Sequence, residues 1–185
     1  MARLPYVSRD MLNDDAATIY DRIAETRGSV EPDTPMPNSF RVLLNNPDAA
    51  AAVGQLGEYL RFNSSLDPVV REIAILAVAK QTDSQYEWFH HEPVARAVGV
   101  RPAVIEAIRS GRAPMGLPAK EGVFAQAAKE LVNNGDLTDR TFQAVEHLLG
   151  PAGVVDLVVL VGYYTMLATA LRALGVEVEE ELTGD

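Results

Sequence analysis

A chain of 185 residues is long enough for one well-buried domain and short for two. Its 16 Lys and Arg against 26 Asp and Glu leave a formal charge of −10. That field repels phosphate backbones and anionic lipid, which argues against nucleic-acid and membrane partners. With no cysteine, disulfides, thiolate metal sites and iron–sulfur clusters are excluded.

The opening Met1-Ala2-Arg3-Leu4-Pro5-Tyr6 lacks the apolar core of a signal peptide, so a soluble, cytoplasmic protein is expected. A first helix is expected over about 8–27. The prolines of Glu31-Pro32-Asp33-Thr34-Pro35-Met36-Pro37-Asn38 then block helix continuation. Pro47-Asp48 opens an alanine-rich helix to about Tyr59. Asp67-Pro68 is a cap with proline at the first helical position, and that helix runs to about Gln81. Asp83-Ser84 caps the next, which Gly99 ends. Pro102 opens a short helix closed near Gly111. Pro118 opens another, which stops at Asn133-Asn134-Gly135. Thr138-Asp139 caps one ending at Gly150, and Pro151 begins the last.

Residues 154–170 are almost wholly apolar, bracketed by Asp156 and Arg172. Spanning a bilayer takes about 20 such residues. A helix apolar on all sides is expected inside a core or between subunits, with a membrane span as the alternative. β-branched runs of alternating polarity are scarce, so the fold class is all-α. One domain over 1–185 is expected. It comprises an N-terminal helical segment and proline-rich loop (1–37), a main body (38–176) and an acidic tail (177–185) holding Glu177, Glu179, Glu180, Glu181 and Asp185.

Two helices carry the candidate chemistry. In Val69-Val70-Arg71-Glu72-Ile73-Ala74-Ile75-Leu76, Glu72 has apolar neighbours one turn away, and burial raises a carboxyl pKa toward values useful for proton transfer. The plainer reading is a carboxylate near a helix N-terminus, favoured by the macrodipole or paired with Arg71. The second helix reads Ser84-Gln85-Tyr86-Glu87-Trp88-Phe89-His90-His91-Glu92-Pro93. Tyr86 and His90 share one face, Glu87 and His91 another. Histidine exchanges protons near neutrality, and Trp88 and Phe89 could exclude water. Pro93 predicts either a kink after His91 or a new helix. Adjacent histidines point about 100° apart and no H-E-x-x-H pair is present, so no metal site is expected. No glycine loop cradles phosphate and no G-x-S-x-G turn supports a hydrolase. His147 reads as an ordinary amphipathic-helix residue, and Tyr163-Tyr164 as packing.

The run from Arg71-Glu72 to His91 resembles the core motif of the carboxymuconolactone decarboxylase-like and alkylhydroperoxidase D-like family. Redox members of that family carry an acid, a C-x-x-C pair and a histidine. Glu72 matches the acid, Ser84 and Glu87 stand at the cysteine positions, and His91 matches the histidine. Tyr86 and Trp88 fit the Y-x-W wording of cysteine-free members. Asn38-Ser39-Phe40-Arg41 with Asn46-Pro47 resembles the family's entry segment, and 157–176 its closing helix.

The resemblance implies an alkylhydroperoxidase D-like helical bundle, assembled as a homotrimer or hexamer. Dithiol peroxidase chemistry is excluded, because neither Ser84 nor Glu87 can form a disulfide. The surviving acid–histidine pair implies cofactor-free decarboxylation of a small anionic lactone. In that reading His91, oriented by Glu72, moves the proton, and Tyr86 or His90 donates to the developing oxyanion. Arg41, Glu87 and Trp88 are the expected substrate contacts. A family member that isomerises, hydrolyses or only binds a small molecule is the alternative.

Overall fold

The computed structural model describes residues 2–27, 36–111 and 119–179, with the backbone alone for Arg27, Ala119 and Lys120. Most of the proline-rich loop, the helix start expected at Pro118 and the tail from Glu180 lie outside the described residues. Those that are described form helices and connecting turns without a strand, so the expected all-α class holds. They fall into two compact units, residues 1–63 with 170–185 and residues 64–169.

The first unit begins with a 3-10 turn, Arg9–Met11, ahead of α1 (Asp14–Arg27). A continuous helix from Ser8 is thus corrected. Leu12 is extended, and the Asn13 side chain accepts from the Ala16 N–H at 2.9 Å, so the cap sits five residues later than expected. α2 (Asn38–Leu43) and α3 (Pro47–Glu58) follow, α3 capped by Asn46 and extended by one π-helical turn, Tyr59–Asn63. A Cβ at Gly54 would meet Ile23 Cγ1 at 3.3 Å, which is how closely α3 packs on α1. Val7, Ile23, Met36, Phe40, Leu44 and Ala50 form the core of this unit.

Part of the acidic tail is folded into the same unit. Glu179 is buried, and its carboxylate accepts from the Asn38 N–H at 2.6 Å, capping α2 where Pro37 has no side chain to do so. The Tyr6 hydroxyl oxygen accepts from the Glu177 N–H at 3.0 Å.

The second unit is built round α4 (Pro68–Gln81), whose residues from Glu72 to Ala79 are all buried. It packs against α5 (Gln85–Ala97), α6 (Pro102–Ser110) and α7 (Ala119–Asn134). Asp67 caps α4 by accepting from the Val69 N–H at 2.8 Å. Just ahead of it, the Ser65 N–H and hydroxyl both donate to buried Asp156, each at 2.7 Å. That carboxylate lies on α8 (Asp139–Leu174) and anchors the entry to α4. α8 itself starts over buried Glu130, which accepts from the Thr138 N–H and the Thr141 hydroxyl at 2.9 Å each.

No new helix starts at Pro93: α5 continues through it to Ala97. The Glu92 side chain accepts from the Trp88 indole N–H at 2.8 Å, one turn before, and from Arg96 at 2.7 Å, one turn after. These ties bridge the turn in which the proline removes a backbone bond. A discontinuity does occur at Gly150, as its sequence position predicts. Its φ of 68° and ψ of 175° separate the two stretches of α8.

The apolar stretch of α8 is not covered on all sides. Leu157, Leu160, Val161, Tyr163, Tyr164 and Leu167 are buried, whereas Val155, Val158, Gly162 and Met166 line one exposed side at three- or four-residue spacing. By length and hydropathy this helix could cross a membrane, but 56% of its most apolar window is buried within the fold, as in a core helix.

Gly150 occupies a backbone region essentially closed to other residues, and a Cβ there would meet nothing within 4 Å. The cost of a side chain is therefore conformational. Gly150→Ala is expected to lower the urea-unfolding free energy by about 1–3 kcal/mol. Gly162→Ala, also in open space but inside the helix, should be neutral or stabilising by up to about 1 kcal/mol. Equal effects of the two would contradict this reading of Gly150.

Candidate functional site

The site is assembled by the caps of two helices. Asp67 fixes where α4 begins, which sets Glu72 in its second turn facing the interior, with 2% of its surface exposed. The Ser84 hydroxyl accepts from the Glu87 N–H at 3.3 Å and fixes the start of α5. Glu87 and His91, one turn apart, then lie on the same side of that helix. His91 Nδ1 lies 2.7 Å from Glu72 Oε2. The other carboxylate oxygen, Oε1, accepts from Arg71 Nε at 3.3 Å. On the far side of the ring, His91 Nε2 is 3.6 Å from Glu87 Oε2, too long for a hydrogen bond but a close charge contact.

Tyr164 of α8 meets the His91 ring edge to face, 5.0 Å between centroids, and Tyr163 meets Tyr164 in the same way at 5.2 Å. The His91 side chain is 17% exposed, against 3% for Glu72 and 6% for Glu87. The imidazole is therefore the member of the group that reaches solvent.

Burial is the strongest single influence on Glu72 and pushes its pKa up, as the sequence suggests. The His91 hydrogen bond, the His91 charge and Arg71 together outweigh it, and the carboxyl is held below its ordinary value. The expected upward shift is thus corrected. Glu72 is an ionised acceptor near neutrality, so Nδ1 of His91 carries the hydrogen between them. Nε2 is the ring nitrogen that Glu72 does not engage. A charge-assisted bond of this kind contributes about 1.5–3 kcal/mol.

The other residues singled out from sequence are placed differently. Tyr86 and His90 pair with each other at 4.5 Å between centroids, on the neighbouring face of α5, with Phe89 against His90 at 6.0 Å. The Trp88 indole N–H donates to Glu92, and the Arg109 guanidinium lies over its ring at 5.0 Å, so its donor and one face are engaged. Arg41 belongs to the first unit, where it donates to Asn38 Oδ1 at 3.2 Å and lies over the Tyr6 ring at 5.3 Å. Tyr164, read from sequence as packing, touches the imidazole itself. Its only sequence signal is a tyrosine pair in an otherwise aliphatic run. Among the described residues no group of three or more His, Asp or Glu is arranged to hold a metal.

These helices define a class: the protein has the alkylhydroperoxidase D-like fold. It superposes on the AhpD-core structure of an uncharacterized peroxidase-related protein from Ralstonia eutropha JMP134 with a TM-score of 0.80, at 17% identity, over 98% of this chain and 94% of that one. A peroxidase-related protein from Silicibacter sp. TM1040 gives 0.77 at 17% identity, over 100% and 95% of the two chains. A Cys→Ala variant of the debrominase Bmp8, in complex with 2,3,4-tribromopyrrole, gives 0.75 at 13% identity, over 99% and 94%. No curated protein matches the sequence. Residues 47–130, which contain Glu72, Glu87 and His91, match the model of the Carboxymuconolactone decarboxylase family. Over that segment the chain is similar to this family, and it contains no cysteine.

Because the folded-state pKa of Glu72 is depressed, its contribution to stability is complete above its ordinary value of about 4.5 and is lost as pH falls through the lowered value. Wild type should therefore exceed Glu72→Gln in unfolding free energy near neutrality, and the gap should close below about pH 4.5. Urea titrations of both proteins across that range measure it. A gap that does not change with pH would show that Glu72 is not an ionised partner of His91.

Proposed function

We propose that the protein is a cofactor-free decarboxylase of a small carboxylated lactone, working by proton transfer from His91. The observation that carries this reading is the 2.7 Å contact between buried Glu72 and His91 Nδ1, which leaves Nε2 as the ring nitrogen that Glu72 does not engage. Two further findings support it. The family model spans the pair, and the absence of cysteine removes the thiol chemistry that the same fold could otherwise host.

In the proposed reaction, the bond from the ring carbon to its carboxylate breaks and carbon dioxide departs. The electron pair moves onto the conjugated lactone carbonyl as a dienolate. His91 Nε2–H then delivers a proton to carbon, and Glu72 holds the imidazole in position throughout. Tyr86 or His90 donates to the developing oxyanion. The debrominase among the structural neighbours is a reminder that the fold does not dictate the reaction.

Release of carbon dioxide from γ-carboxymuconolactone is the direct test, with wild type and His91→Ala compared. Turnover by wild type that falls by about 10²–10⁴ in kcat on removing the imidazole is expected. Wild-type turnover that survives in His91→Ala would remove His91 from the chemistry. Inactivity of both would favour a member that binds or transforms a different small molecule.

A further inference from the structure

The bond from Glu72 holds His91 at one atom, Nδ1. Rotation of an imidazole about the bond to its side chain is broad and roughly two-fold, so one hydrogen bond at the ring's edge does not define the ring plane. Tyr164 of α8 supplies a second contact, at 5.0 Å between centroids and an interplanar angle of 90°. Tyr163 meets Tyr164 in turn at 5.2 Å and 82°. Both tyrosines are buried, so a chain of aromatic rings runs from α8 to the imidazole inside the fold.

The origin of that chain is itself anchored. Asp156 on α8 accepts from the Ser65 N–H and hydroxyl at 2.7 Å each, which ties α8 to the entry of α4. Asp156 lies about two helical turns before Tyr164, and Ser65 lies just ahead of the helix that carries Glu72. One anchor therefore sets both residues that meet the imidazole, Glu72 through α4 and Tyr164 through α8. The lone pair or N–H bond of a ring nitrogen lies in the ring plane. The tilt of the imidazole thus decides where a proton at Nε2 is aimed.

We propose that Tyr164 is a positioning residue: its ring, braced by Tyr163, fixes the tilt of His91 while Glu72 fixes Nδ1. This inference rests on the proton-transfer role given to His91 above and adds to it a determinant of aim. A ring held at one atom swings, and misplacing a reacting group by about 1 Å can cost about 10²-fold in rate. Both tyrosines make further interactions of their own. The Tyr164 hydroxyl is therefore separated from its ring by comparing Tyr164→Phe with Tyr164→Leu.

The test begins on the whole protein without substrate. Nitrogen-edited proton spectra follow the Nδ1–H between His91 and Glu72 in wild type, Tyr164→Phe, Tyr164→Leu and Val145→Ala. Val145 is buried in the stretch of α8 before Gly150, so its truncation weakens the fold while leaving the aromatic rings in place. Wild type, Tyr164→Phe and Val145→Ala should each show a sharp signal protected from exchange with water. In Tyr164→Leu the signal should be broadened or lost. Turnover of γ-carboxymuconolactone then reads the aim itself. Its kcat should fall by about 10–100-fold in Tyr164→Leu with KM within about threefold of wild type, and Tyr164→Phe should stay close to wild type.

A signal as sharp in Tyr164→Leu as in wild type would overturn the proposal, as would full kcat in that variant or a wild type without a protected signal. Loss in Tyr164→Phe would assign the effect to the hydroxyl, and loss in Val145→Ala to general loosening of the fold. Either result also overturns it. The spectra do not depend on which compound is transformed. Inactivity toward the lactone alongside the expected spectra would remove the decarboxylase reading and leave the positioning of His91 by Tyr164 standing.

Discussion

A carboxylate closed off from water must find hydrogen-bond donors, and in this protein that requirement falls on Glu72. It stands at the head of a continuous buried run that ends at Ala79, on the helix against which α5, α6 and α7 pack. The His91 ring and Arg71 meet the requirement. Removing one partner from such a buried pair costs about 3–5 kcal/mol, because the other is left uncompensated. The contact therefore contributes to fixing the register between α4 and α5. The devices around it serve the same end: Asp67 and the Asp156–Ser65 bonds fix the start of α4, and Ser84 fixes the start of α5.

The contact has a chemical consequence as well as a structural one. An ionised Glu72 fixes the imidazole tautomer, with the hydrogen on Nδ1. On the far side of the ring stands buried Glu87, and Tyr164 closes another side.

Much of this frame is legible in the sequence. Local punctuation with a physical cause gives the bounds of α4 and α5, the stop at Gly111 and the break at Gly150. The pairing of Glu72 with His91 is legible only through the family resemblance, since the apolar neighbours of Glu72 alone fit equally a carboxylate near a helix N-terminus. What escapes the sequence depends on distant or competing contacts. Asn13 outcompetes Ser8 as the start of the first helix through a single side-chain bond. Pro93 is carried inside α5 because Glu92 bridges the turns around it. Glu179 leaves the acidic tail to cap a helix more than a hundred residues earlier. The direction of the Glu72 shift also escapes, since burial and pairing act in opposite senses and their balance depends on distances.

The coupling between Glu72 and His91 can be measured directly by a double-mutant cycle on unfolding free energy, with Glu72→Leu, His91→Leu and the double replacement. Each single replacement strands a buried polar partner, and the double one strands neither. The double mutant should therefore be more stable than the sum of the single losses predicts, by about 2–3 kcal/mol. Losses that add to within about 0.5 kcal/mol would mean that the two side chains do not depend on each other, and the site as described would not exist.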